Sequence, residues 1–211
     1  MLDDKYSDFE KFITENKGKR KFRQTVELAI NFKNINFSDQ NNRLNISVLL
    51  PNGRGKYNKL AVFTNDKNMI EEARKNGVEV ISAEEIQAIA NDKQRLNALL
   101  NYNLLAQPSL MPTIARALGQ FLGPRGKMPK PLMPGTNMAK VANEMNKQIT
   151  IKSSGKFLPT VHCAVGTEDM EPKKIFENIK EVINNIVAKV SQSKIKSVYV
   201  KLTMSKPMRL I

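Results

Sequence analysis

Thirteen residues in the middle of the chain, Gly123-Pro124-Arg125-Gly126-Lys127-Met128-Pro129-Lys130-Pro131-Leu132-Met133-Pro134-Gly135, hold three cations, three glycines and four prolines. Glycine-rich basic loops cradle phosphate with backbone N–H groups, so nucleotide hydrolysis is the first chemistry to weigh. The spacing does not fit it. A phosphate-binding loop needs Gly-x-x-x-x-Gly-Lys followed by Ser or Thr, and here Lys127 precedes Met128. Proline at this density bars a helix interior and a central strand. The stretch is expected as a loop in which Arg125, Lys127 and Lys130 pack on another domain or touch nucleic-acid phosphates.

Nucleophilic and metal chemistry find less support. His162 is the only histidine and Cys163 the only cysteine. Adjacent residues on a strand point to opposite faces, which denies a Cys–His pair its hydrogen bond. A lone cysteine forms no internal disulfide, and with scattered carboxylates there is no metal-ligand cluster. No catalytic residue, metal or other cofactor is expected. What stands out instead is charge: 34 Lys+Arg against 20 Asp+Glu give a formal +14 over 211 residues. Of the basic residues 25 are Lys and only 9 Arg, which favours phosphate and shape recognition over the reading of base edges. No apolar run reaches the ~20 residues of a membrane span, and acidic Asp3 and Asp4 stand where a secretion signal is basic. A cytoplasmic protein without a membrane partner is expected.

Apolar periodicity gives the elements that must position these residues. Residues 3–16 place Tyr6, Phe9 and Ile13 at helical spacing, and Gly18 ends the pattern. Lys17, Lys19, Arg20, Lys21 and Arg23 follow. Residues 24–32 alternate strictly, with Val26, Leu28, Ile30 and Phe32 to one face and Thr25, Glu27, Ala29 and Asn31 to the other. A second alternating strand carries Leu44, Ile46, Val48 and Leu50, and Pro51-Asn52-Gly53-Arg54-Gly55-Lys56 supplies a basic turn.

From residue 60 short apolar strands (60–64, 78–81, 103–107) alternate with helices (66–76, 82–91, 109–121, 136–147), and Ser82 with Glu85 makes a capping box. This pattern predicts a parallel sheet of βαβ units. After residue 149 the first texture returns. Strands cover 149–152 and the alternation Val161, Cys163, Val165; a helix opened by Pro172 covers 171–191. The last strand, 195–203, turns Val198, Val200 and Leu202 inward and Ser197, Tyr199, Lys201 and Thr203 outward.

Neither outer segment can cover a core alone, but together they suffice for one two-layer domain. The expected architecture is α/β: a split domain, 1–59 with 150–211, and an inserted domain, 60–149. The outer segments hold 23 basic and 12 acidic residues and the middle 11 and 8, which assigns the nucleic-acid face to the split domain. The two chain crossings are expected to act as a hinge. Glu27 suits no phosphate, yet it can accept a hydrogen bond from a base amino group or a ribose 2′-hydroxyl; a plain solvated carboxylate is the simpler alternative.

Lys21-Phe22-Arg23-Gln24-Thr25-Val26-Glu27 and Leu50-Pro51-Asn52-Gly53-Arg54-Gly55-Lys56 carry a resemblance that three later stretches extend. These are Gly123-Pro124-Arg125-Gly126-Lys127-Met128-Pro129, Cys163-Ala164-Val165-Gly166-Thr167-Glu168-Asp169-Met170 and Lys196-Ser197-Val198-Tyr199-Val200-Lys201-Leu202-Thr203-Met204. In order and over essentially the whole chain, they resemble the family of ribosomal protein L-one, from the mobile stalk of the large ribosomal subunit, in its archaeal branch. The resemblance implies a split two-layer domain with an inserted three-layer Rossmann-like domain. It implies a ribosomal, non-enzymatic protein, monomeric when free, whose split domain grips structured large-subunit rRNA. Further implied partners are exit-site tRNA, whose release the stalk assists, and a leader on the protein's own mRNA, through which it represses translation.

Carried over residue by residue, the RNA contacts fall on Lys21, Phe22, Thr25, Glu27, Ser197, Thr203 and Met204. The chain departs from the family at the next position, where Ser205-Lys206 replaces the usual glycine. Ser205 is kept in the site, with its turn geometry in question, and Lys206 adds a phosphate partner. A regulator acting chiefly on mRNA and a nucleotide-processing enzyme remain the alternatives.

Overall fold

The computed structural model describes residues 2–153 and 158–211. The first segment forms α1 (Tyr6–Asn16), β1 (Thr25–Phe32) and β2 (Asn45–Leu49). The middle forms β3 (Lys59–Phe63), α2 (Lys67–Lys75), β4 (Glu79–Ile81), α3 (Ala83–Asn91), α4 (Lys93–Leu99), β5 (Tyr102–Ala106), α5 (Met111–Leu122), β6 (Lys130–Pro131) and α6 (Met138–Lys147). The last forms β7 (Gln148–Lys152), β8 (Thr160–Thr167), α7 (Pro172–Val190), β9 (Ile195–Leu202) and β10 (Met208–Arg209). The chain divides into two compact units, Met1–Lys56 with Asn146–Ile211, and Tyr57–Met145.

In the split unit β10-β9-β1-β8 form an antiparallel sheet, and β2 pairs with β7 in a two-stranded ribbon. The strict alternation of β1 is realised: Val26, Leu28, Ile30 and Phe32 are buried, and the residues between them are half-exposed. Helices α1 and α7 cover that apolar face. α7 opens with Pro172 in its first turn and presents Ile175, Ile179, Val182, Ile186 and Val190 to the sheet. The expected helix from residue 3 begins three residues later, because Asp3–Lys5 form a 3-10 turn.

The middle unit is a parallel sheet in the order β4-β3-β5-β6. Its strands are apolar on both faces because helices cover both. Ala61, Phe63, Leu104 and Ala106 pack with α3, α4 and α5, whereas Leu60, Val62 and Leu105 pack with α2 and α6. These are the three layers of a doubly wound fold. The proline-rich stretch is irregular apart from Lys130–Pro131, which add a two-residue strand at the sheet edge, where proline is tolerated.

One turn of the split unit depends on glycine. Gly55 has φ +70°, and a Cβ there would run into Thr167 Oγ1 and lie 2.7 Å from Met170 Sδ. Gly55→Ala should therefore destabilise the unit by about 2–4 kcal/mol, combining left-handed strain with overpacking, as read from urea unfolding. An unchanged midpoint would show that the turn relaxes freely.

Candidate nucleic-acid interface

The sheet face away from α1 and α7 is polar by register. Glu27 lies between Ala164 and Lys201, Ala29 between His162 and Tyr199, and Asn31 between Thr160 and Ser197. At its upper end Thr25 and Thr203 clasp each other. Thr25 N donates to Thr203 Oγ1 at 3.1 Å, and Thr203 N donates to Thr25 O at 3.1 Å. Residues 178 positions apart are thereby fixed side by side. Lys21, Phe22 and Arg23 lead into this end, exposed, with Phe22 47% and Met204 58% accessible. Two large apolar side chains held open to solvent beside a run of cations suit a partner with apolar faces and negative charge.

Ser197 stands apart from this cluster. It lies six residues down β9 from Thr203, on the order of 20 Å away at the rise of a strand. It is only 6% accessible, and its hydroxyl accepts from Asn31 Nδ2 at 3.0 Å. Ser205, by contrast, completes the turn after β9. Its φ is not positive, its Oγ accepts from Leu202 N at 2.9 Å, and it donates to Lys206 O at 2.9 Å. A serine thus serves this turn without left-handed backbone, and Lys206 beside it is exposed.

Beneath the cluster is a network that sequence reasoning missed. Glu168, 4% accessible, accepts from Gln24 N at 2.9 Å, Gln24 Nε2 at 3.1 Å and Gly18 N at 3.2 Å. Gln24 passes the constraint on: its Oε1 accepts from Met204 N at 3.1 Å. One carboxylate therefore anchors the basic loop, the start of β1 and the turn after β9. Burial pushes the Glu168 carboxyl up, but the donors from Gln24 and Gly18, with the charge of Lys17, outweigh it and hold it below the ordinary range. The only hint in the sequence was that Glu168 falls within the motif-like stretch from Cys163 to Met170.

The basic loop of the middle unit is partly committed to its own fold. The Arg125 guanidinium stacks 4.0 Å from the Phe121 ring centroid and donates to Phe121 O at 2.8 Å. Lys127 Nζ donates to Tyr102 O at 3.3 Å, and Lys130 is exposed on β6. The dinucleotide crevice of a doubly wound sheet is taken up as well. Asp66 caps α2 by accepting from Met69 N at 3.0 Å, and Glu85 accepts from Ser82 N at 3.0 Å at the start of α3. Carboxylates occupy the helix ends where a pyrophosphate would bind. Thr64, at the end of β3, donates to Gln107 across the same crevice at 3.0 Å.

His162 and Cys163 point to opposite faces, the first exposed and the second packed against the core. Burial pushes the Cys163 thiol up to about 12. It should react with a disulfide reagent at pH 8 far more slowly in the native protein than after unfolding in urea; equal rates would contradict its partial burial.

A split α/β unit with a polar sheet face, led into by a run of exposed cations, has the build of a nucleic-acid-binding protein. Residues 11–206 match the profile of the Ribosomal protein L1p/L10e family. Archaeal relatives named large ribosomal subunit protein uL1 are similar over nearly the whole chain. That of Thermoplasma acidophilum is 42% identical over 196 residues, covering 91% of this chain and 89% of its own. That of Thermococcus kodakarensis is 40% identical over 190 residues (88% and 87%), and that of Methanococcoides burtonii 36% over 216 (100% of each). The chain belongs to the L1p/L10e family of ribosomal proteins.

Proposed function

We propose that this protein, a constituent of the large ribosomal subunit, grips a structured stalk segment of large-subunit rRNA through the upper end of the split unit's polar sheet face. The reading rests on one observation above others: the Thr25–Thr203 clasp sets Glu27, Met204 and the Lys21–Phe22 loop into a single cationic surface. Lys21 and Lys206 meet phosphates, Glu27 accepts from a base amino group or a 2′-hydroxyl, and Phe22 and Met204 supply apolar contact. Ser197 touches the RNA only if the contact runs the length of the sheet. The split unit does the binding. The middle unit presents Arg125, Lys127 and Lys130 toward exit-site tRNA.

Filter binding to an rRNA stalk fragment at several salt concentrations tests this. Thr203→Ala and Glu27→Ala should each weaken the cognate fragment by roughly 5- to 150-fold and leave unrelated hairpins unaffected. Lys21→Ala should weaken all RNAs and lower the salt slope by about one counterion. Equal affinity for cognate and unrelated hairpins at every salt would reject site-specific recognition. The family resemblance supports a second use of the same face, repression of the protein's own mRNA by a leader that mimics the rRNA site. Leader RNA should then compete with the rRNA fragment for a monomeric protein.

A further inference from the structure

A groove of about 590 Å³ opens on the split unit between the end of α1, the loop that follows it and the turn after β9. Its volume is that of sites that hold small molecules, ~300–1,000 Å³. Phe12, Met204, Pro207 and Met208 make its surface mainly apolar. Lys19, Arg20 and Lys206 rim it, all three exposed, and no carboxylate lines it among the described residues. Among the described residues none of these three cations is engaged in an ion pair.

The groove is also held in shape before anything binds. Gln24 donates from Nε2 to Asn16 O at 3.2 Å while its Oε1 accepts from Met204 N, so one amide ties two of the walls together. Glu168 fixes Gln24 from below, and Ser205 fixes the turn. A preformed slot avoids the ordering cost that a loose loop would incur on binding.

An apolar slot inside a ring of cations has the chemistry of a planar ring joined to phosphate. We propose that this groove takes one unstacked nucleobase of the bound RNA, seated against Phe12 and the methionines, with the flanking phosphates on Lys19, Arg20 and Lys206. The assignment rests on the RNA-binding reading above and extends it from the sheet face to a pocket beside it. Recognition of this kind tolerates a change of base but not its removal, because every base has a π-face. An acidic peptide would engage the rim and gain nothing from the slot.

The test uses the full chain and an rRNA stalk fragment in which each unpaired position in turn is made abasic. For the unaltered protein, one abasic position should lower affinity about tenfold, and base swaps there should change it less than about threefold. Phe12→Ala should lower affinity for the intact fragment by a similar factor and abolish the penalty at that position alone. Phe12→Leu, which keeps apolar filling and guards against misfolding, should also reduce the penalty. Lys206→Ala, an exposed change, should weaken binding and the salt dependence while the abasic penalty persists. Identical abasic penalties in the unaltered and Phe12 proteins, with the fragment still bound selectively, would overturn the groove assignment alone. Loss of preference for the fragment over unrelated hairpins in the unaltered protein would instead overturn the RNA-binding reading beneath it.

Discussion

Glu168→Ala should destabilise the split unit by on the order of 3 kcal/mol and lower affinity for the rRNA fragment at least tenfold. The substitution strands three donors, Gln24 N, Gln24 Nε2 and Gly18 N, in or near the interior. A buried donor left without an acceptor costs about 1–3 kcal/mol, and bonds to charged groups lie at the upper end. Affinity falls because Gln24 no longer holds Met204 N and the loop from Gly18 loses its anchor. Glu168→Gln is the sharper variant. It keeps the shape but turns an NH2 group toward N–H donors, so it should sit between the unaltered protein and the alanine variant.

The same carboxylate gives a pH signature whose sign is set by its environment. Its folded pKa lies below the usual carboxylate range, so its contribution is fully present above the unfolded value of about 4.3. That contribution is lost as pH falls through the lower, folded value. Urea midpoints measured from pH 7 down to pH 3 should fall more steeply for the unaltered protein than for Glu168→Gln. Parallel curves would show that the carboxylate carries no special stability.

That network marks the limit of what a sequence can disclose. The alternation of β1 and the stripe of α7 were legible because period and burial coincide over many residues. The parallel sheet of the middle unit was legible because short apolar strands alternate with helices from residue 60 onward. The pairing of Gln24 with Glu168 joins positions 144 apart and leaves no periodic trace. Helix α4 was missed because its seven residues bury only Leu96 and Leu99, too few for a stripe, although Asp92 caps it from 2.8 Å. β6 and β10 were missed because two-residue strands have no pattern to read. Ser197 sits on the outward parity of β9, as the alternation implies, yet its neighbour Asn31 covers it.

Asn178→Leu should cost about 3–5 kcal/mol and lower the thermal midpoint of the split unit by on the order of 10 °C or more. Asn178 is fully buried in the middle of α7, a position where a short polar side chain is a poor helix former. It is retained there by three bonds. Nδ2 donates to Gly53 O at 2.7 Å and to Val165 O at 2.8 Å, and Oδ1 accepts from Asn52 N at 3.1 Å. Leucine has the same branched outline but bulkier methyl ends, and it leaves two carbonyls and one N–H unmatched. Asn178→Asp preserves the acceptor and both atoms' positions, yet loses the two donations, and should be comparably damaging at neutral pH. Circular dichroism melts of the two variants check this; a shift of only a degree or two in either would mean that water or backbone movement replaces the amide.

The β2–β7 ribbon governs how the chain can be divided. The pairing continues past the strands to Leu50 N, which donates to Lys147 O at 3.0 Å. The peptide thus departs and comes home on neighbouring strands, about 5 Å apart. Topologically the whole doubly wound body is an insertion between two paired strands, so a short turn joining the end of β2 to the start of β7 should leave the host's strand order untouched.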